Sequence, residues 1–161
     1  MTPRKWDWET GEGLLGMDDP AEVDAALDRR DDRLGAAVIG LALNCPPEVV
    51  SPRIIRALEL LPGPGRDFPF TATAHLARLD GRLTPELYAA LRAEGRGGAA
   101  DHAIDDTVTF VPFRDLPMWF KWQRVYLRMW DKLETWRLNV TWAAEDLGNS
   151  LRRRPGGGSG E

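Results

Sequence analysis

The feature that most constrains the fold is a regular recurrence of proline directly after a helix-capping residue. The prolines concerned, in steps of 32, 33 and 32 residues, are Pro20, Pro52, Pro85 and Pro117. Asp19, Ser51 and Thr84 precede the first three, and Leu116 precedes the fourth. A capping side chain accepts an unpaired helix N–H, and Pro at the first helical position has no N–H to lose. The pattern therefore predicts helix starts at all four positions, the weakest at Leu116.

Each of the first three predicted starts opens an apolar face at helical spacing, which a break and then an Ala-rich helix follow. The faces comprise Val23 and Leu27, then Ile54, Ile55 and Leu58, then Leu87, Tyr88 and Leu91. The breaks fall at 28–32, 62–65 and 95–98, and the Ala-rich helices cover roughly 33–44, 69–80 and 99–110. Helix pairs that repeat every ~33 residues are typical of an α-solenoid, and three pairs are about the minimum that bury a continuous core.

These repeats resemble a known family. The stretches GAAVIGLAL at 35–43, TATAHLARLDGRL at 71–83 and AADHAIDDTVTFV at 99–111 are similar to those of small bacterial HEAT-repeat proteins, and the resemblance covers roughly residues 18–111. That family often places Asp in the turn and Val-Arg at the opening of the second helix. Asp32 and Arg33 keep part of this pattern, whereas residues 66–69 do not. The resemblance implies a HEAT-like solenoid with a non-catalytic protein-binding surface.

The C-terminal third departs from the repeats and carries a heptad-like apolar seam. Its members, spaced alternately by 3 and 4 residues, are Trp119, Trp122, Tyr126, Met129, Leu133, Trp136 and Val140. This spacing predicts one long amphipathic helix over about 117–147. Lys121, Arg124, Arg128 and Lys132 lie mainly away from the seam.

Three interpretations of this seam stay open. The helix could cap the solenoid, because terminal elements must bury the face of the last repeat. It could pair with a second copy, since paired helices use this spacing. It could also lie on a membrane surface, with indoles at the headgroups and a basic opposite face. Asp131 and Glu134 dilute that basic charge, so we expect a cap first and peripheral membrane contact last.

The chain is therefore predicted to be all-α, with about three helix pairs closed by the Trp-rich helix. An N-terminal arm covers 1–18, with Trp6 and Trp8 packed on the body and a ligand contact by these two residues as the alternative. The HEAT-like repeats cover 19–111, the long amphipathic helix 112–151, and a flexible tail 152–161.

The charge is distributed unevenly along the chain. Residues 1–113 hold 12 Lys and Arg against 19 Asp and Glu, a balance of −7, whereas residues 114–160 hold 9 against 5, a balance of +4. The small, local basic surplus does not match a nucleic-acid-binding footprint, and no nucleic-acid partner is expected. A basic protein partner would instead suit the body. The candidate surface for it comprises Asp24, Asp28, Asp31, Asp32, Asp101 and Asp105.

Few residues have a pattern that chemistry requires. In a helix, His102, Asp105 and Asp106 would share one side and could bind a metal, but a solvated acidic face explains them equally well. Cys45 lacks a basic neighbour in sequence, which favours a structural thiol. We predict no catalytic residue, cofactor or metal site. A single thiol without a secretory signal predicts a cytoplasmic protein, and no apolar run approaches the ~18–20 residues that span a bilayer.

The sequence therefore predicts a non-catalytic protein–protein interaction scaffold. By analogy with immunity and antitoxin proteins, its partner could be a basic effector. The alternative is a self-associating or membrane-surface structural protein that acts through residues 117–147.

Overall fold

The computed structural model describes residues 6–130, 132 and 133, and within these residues it is all-α, with no β-strand. Six α-helices follow one another before residue 111. They are α1 Pro20–Arg29, α2 Leu34–Asn44, α3 Pro47–Leu60, α4 Asp67–Asp80, α5 Pro85–Glu94 and α6 Asp101–Phe110. Short 3-10 turns occur at Leu14–Gly16, Gly63–Arg66 and Phe113–Asp115. The chain divides into two compact units, Met1–Lys121 and Trp122–Glu161.

The six helices form two layers, which we call the helix stack. In one layer α2 packs on α4 and α4 packs on α6, while in the other α1 packs on α3 and α3 packs on α5. Within a layer, each helix therefore packs against the next helix but one in chain order, which is the arrangement of an α-solenoid. The core between the layers is apolar, and its largest fully buried side chains include Leu27, Leu41, Ile54, Phe70, Leu76, Leu87 and Ile104.

Side-chain contacts between stacked helices repeat at nearly constant sequence separation. Arg53 of α3 pairs with Asp24 of α1, 29 residues earlier, at 2.5 Å from Nη2 to the carboxylate. In the other layer, Arg78 of α4 pairs with Asp106 of α6, 28 residues later, at 2.7 Å from Nε to Oδ2. Ser51 and Thr84, 33 residues apart, share a hydrogen bond of 2.5 Å between their hydroxyl oxygens. The repeat seen in the sequence is thus the spacing at which one helix contacts the next.

The predicted helix start at Ser51 and Pro52 is wrong. The helix α3 begins at Pro47 with Pro46 at its N-cap, and Pro52 lies inside it. Ser51 is buried, and its hydroxyl contacts Thr84 rather than capping a helix. Pro52 is exposed, so its ring projects away from the core. A Ser-Pro pair therefore has the appearance of a helix start although it lies in the second turn.

The other predicted boundaries agree closely with the structure. Asp19 caps α1 by accepting the N–H of Ala21 at 2.9 Å, and Thr84 stands at the N-cap of α5. Helical residues begin again at 118, one position after Pro117. The three Ala-rich helices coincide with α2, α4 and α6 to within two residues, which confirms these elements.

The N-terminal segment supplies residues to the core. Leu14 and Met17 are completely buried, and the 3-10 turn that starts at Leu14 packs against α2. The guanidinium of Arg29 lies 4.4 Å from the centroid of the Trp8 ring, as expected for an indole packed on the body. Asn44 ties the segment down by donating to the carbonyl of Leu15 at 3.1 Å.

Helical residues continue from 118 to 130 and include 132 and 133. Within the first unit, Phe120 is buried and its ring meets that of Tyr88 on α5 edge to face at 5.2 Å. Trp119 lies edge-on to Phe120 at 4.8 Å. The contact with the last helix of its layer is therefore made by Phe120, a residue outside the predicted seam.

Candidate functional site

The predicted acidic surface is largely occupied by ion pairs within the chain. On α1, Asp24 pairs with Arg53 and Asp28 pairs with Arg56, each at 2.5 Å. Asp31 pairs with Arg29 at 2.8 Å. Its other oxygen accepts the N–H of Arg33 at 2.9 Å and so helps to shape the turn before α2.

The remaining three carboxylates of that surface are placed differently. Asp105 pairs with Arg96 at 2.6 Å, and Asp101 accepts the N–H of Gly97 at 2.9 Å. Asp32 is exposed in the turn before α2. The six residues thus lie at two ends of the helix stack, around α1 and around the start of α6. A basic partner would have to compete with internal arginines for most of them.

The set that could bind a metal, His102, Asp105 and Asp106, does not come together as ligands. His102 Nε2 lies 3.2 Å from the hydroxyl of Thr71. Asp105 forms an ion pair with Arg96, and Asp106 forms one with Arg78. In the part of the chain that the structure describes, no group of three or more His, Cys, Asp or Glu side chains is placed to hold a metal ion.

Burial is the main cause of the pKa shifts of three described groups, one of which is Tyr88, whose pKa is raised. The pKa of His75 on α4 is lowered by desolvation and, to a lesser extent, by the positive charge of Arg78. The pKa of the Cys45 thiol is raised, first by burial and then by the carboxylate of Asp18. A raised thiol pKa means less thiolate at neutral pH, which agrees with a structural rather than a reactive cysteine.

The helical residues of the second unit expose large apolar side chains along one side. We call this set the aromatic face, and it comprises Trp122, Val125, Tyr126, Met129, Trp130 and Leu133. Trp122 is 67% exposed, and the aromatic rings of Tyr126 and Trp130 pack edge to face at 6.0 Å. Exposed apolar patches of this kind mark interaction sites.

Of the predicted seam, Trp122, Tyr126, Met129 and Leu133 belong to the aromatic face. Trp119 is partly buried beside Phe120. Trp136 and Val140 lie outside the described residues, as do the predicted end of the long helix and the tail 152–161. Val125 and Trp130 were not part of the predicted seam. Val125 precedes Tyr126 and Trp130 follows Met129, and both widen the apolar side of the helix.

The helix stack has an apolar feature of its own. Leu43, Leu79 and Phe110 stand in the last turns of α2, α4 and α6, and they are 39%, 62% and 48% exposed. We call these three residues the apolar row. Thr71 and His102 set the register between α4 and α6 at 31 residues, and Phe110 follows Leu79 by the same number. The guanidinium of Arg78 lies 5.7 Å from the Phe110 ring centroid.

The apolar row was not predicted as a surface. Helical periodicity places Leu79 on the same side as buried residues such as Leu76. Leu79 is nevertheless 62% exposed, at the next-to-last position of α4. The one signal available in the sequence was an apolar residue within the last two positions of each Ala-rich helix.

Two open grooves lie along the other layer of the stack. One, of about 790 Å³, runs between α3 and α5 past Ile55, Pro85 and the ion pair of Glu48 with Arg82. The other, of about 750 Å³, lies between α5 and residues 117–120 and is lined by Tyr88, Arg92, Trp119 and Phe120. Hydrogen bonding to Arg82 is the main reason why the pKa of Glu48 is lowered.

Comparisons with protein-family models, with curated proteins and with solved structures gave no significant match. Within the described residues, no helix combines the length and the apolar character that crossing a bilayer requires.

Proposed function

We propose that this chain is a non-catalytic scaffold that binds another protein, built on a HEAT-like repeat. The observation that carries the proposal is the helix stack itself, in which contacts between stacked helices recur at about the repeat length. Stacked helix pairs present extended surfaces to partners, and residues at equivalent positions form rows on those surfaces. Leu79 and Phe110 occupy equivalent positions of α4 and α6, and Leu43 lies near the end of α2, the preceding helix of the same layer.

The experiment that tests this proposal is site-specific photo-crosslinking in cells that express the chain. A photoreactive amino acid at Leu79 should crosslink to one defined protein, and Leu43→Asp should abolish that product. The matched control places the same amino acid at Glu59, which is exposed on α3 in the other layer. The same set of products from both positions would contradict the proposal, because it would indicate only random encounter.

The negative charge of residues 1–113 favours a basic protein as the partner. Because most of the candidate carboxylates are already paired, such a partner would displace Arg53, Arg56 or Arg96 from Asp24, Asp28 or Asp105. Of these carboxylates, Asp105 lies on α6, in the same layer as Leu79, and 53% of its side chain is exposed. Asp105→Asn should weaken the Leu79 crosslink if the partner is basic, and it should leave the crosslink unchanged if the contact is apolar.

A second candidate function is supported by the aromatic face. In this version the chain acts through residues 117–147, as a self-associating protein or on a membrane surface. Six exposed apolar side chains within twelve residues support it, since isolated surface apolar residues are common whereas a contiguous set is not.

A further inference from the structure

We propose that the aromatic face pairs with the same face of a second copy of this chain. This inference rests on the second candidate function above and names its partner. It does not depend on the apolar row, which lies in the other unit.

The distribution of side chains around the helix supports one continuous contact side. With about 100° between successive residues, the six members of the aromatic face fall within an arc of roughly 140°. The four basic residues Lys121, Arg124, Arg128 and Lys132 all fall outside this arc. Two copies can therefore meet along the aromatic face without burying a lysine or arginine between them.

The spacing of the face favours another helix as the occupant. Trp122, Tyr126, Met129 and Leu133 follow one another at intervals of 4, 3 and 4 residues, the positions that face each other in paired helices. Val125 and Trp130 stand at the flanking positions, where coiled coils usually carry charged residues. A surface with this period is complementary to a second helix of the same period, and an identical helix provides one.

The area available matches what a stable dimer requires. From the exposed fractions of its side chains, the aromatic face offers on the order of 700 Å² per copy, taking about 150–250 Å² for each large side chain. Complete coverage of both faces would bury roughly 1,400 Å² at most, within the range of specific protein interfaces.

Charge distinguishes a second copy from an anionic lipid surface. Two copies bring like-charged basic residues into proximity, so added salt should screen their repulsion and tighten the dimer. Binding of the same basic residues to an anionic surface would weaken with salt, because salt screens that attraction.

The test is the mass of the full chain by size-exclusion chromatography with light scattering, over a range of concentrations and at low and high salt. We expect twice the chain mass of 18.0 kDa. Tyr126→Glu with Met129→Glu should halve that mass, because it places two charges in the interface. The matched control Arg128→Glu changes the net charge by the same amount outside the face and should stay dimeric.

Circular dichroism should show the same helix content in all three proteins, since every substituted side chain is exposed. If the double variant loses helix content, Trp130→Glu tests the same face by one substitution. A wild-type mass of 18.0 kDa at every concentration would overturn the proposal, as would a dimer that survives both face variants. A monomer that binds phosphatidylserine vesicles, with binding lost at high salt, would overturn it in favour of a lipid surface. None of these outcomes changes the expected crosslink at Leu79.

Discussion

Gly40 determines how closely the N-terminal segment can approach α2. A Cβ atom at this position would lie 1.9 Å from the carbonyl oxygen of Leu14 and 3.0 Å from the Cβ of Met17. Because Leu14 and Met17 are fully buried, neither can move aside without opening the core. The missing side chain is therefore what allows backbone to pack on backbone here.

We expect Gly40→Ala to lower the free energy of unfolding by about 1–3 kcal/mol, the usual cost of overpacking a core, less what alanine gains in a helix. Urea denaturation measures this change. Gly16→Ala is the matched control, because a Cβ at Gly16 meets nothing within 4 Å. Equal midpoints for the two variants would mean that the segment yields at little cost and that its contact with α2 is loose.

At the scale of the element, Pro52 shows that a sequence pattern typical of a helix start can lie inside a helix. Pro52 has no N–H to offer the carbonyl of Glu48, four residues earlier in α3. Pro85, at the first position of α5, removes no such bond. The two prolines follow similar capping residues in the sequence, yet only Pro52 lies inside a helix and removes one of its hydrogen bonds.

Pro52→Ala should therefore raise the free energy of unfolding by roughly 1–3 kcal/mol, since the helical gain exceeds the entropy that the flexible unfolded chain recovers. Pro85→Ala should leave stability unchanged or lower it slightly. Thermal or urea unfolding of both variants provides the comparison. A loss of stability in Pro52→Ala would show that the ring makes contacts along the groove between α3 and α5 that outweigh the missing hydrogen bond.

The helices were largely predictable because their signals are local. Alanine and leucine at helical spacing defined α2, α4 and α6, and Asp19 and Thr84 with their following prolines located α1 and α5. The start of α3 was not predictable from Ser51, because its hydroxyl contacts Thr84, a residue 33 positions away. The ion pairs of the candidate acidic surface were not predictable for the same reason. Its carboxylates could be identified as a set, but the partners of Asp24 and Asp28 lie on α3, 29 and 28 residues further along the chain.

At the scale of the whole molecule, His75 links stability to pH. Its pKa is lowered in the folded chain, first by burial and then by Arg78, while Asp106 opposes the shift. Below the ordinary histidine pKa of about 6.5, the unfolded chain therefore takes up a proton more readily than the folded chain. The contribution of His75 to stability is complete above that pH and is lost as the pH falls through the lowered pKa.

We expect the urea midpoint of the wild type to decrease as the pH falls from about 7 to about 5. His75→Gln should reduce the steepness of this decrease, because glutamine binds no proton in either state. Denaturation curves at a series of pH values measure both slopes. An unchanged slope in the variant would mean that His75 is solvated in the folded chain and that other groups cause the pH dependence.

The short reach of the contacts within the helix stack has a consequence for how the protein is made. Each side-chain contact described above between stacked helices joins residues no more than 34 positions apart. A helix that leaves the ribosome therefore finds its partners already synthesised and close behind it. Low sequence separation between contacts also favours fast folding. The first helices of the stack can accordingly begin to pack while later helices are still being synthesised.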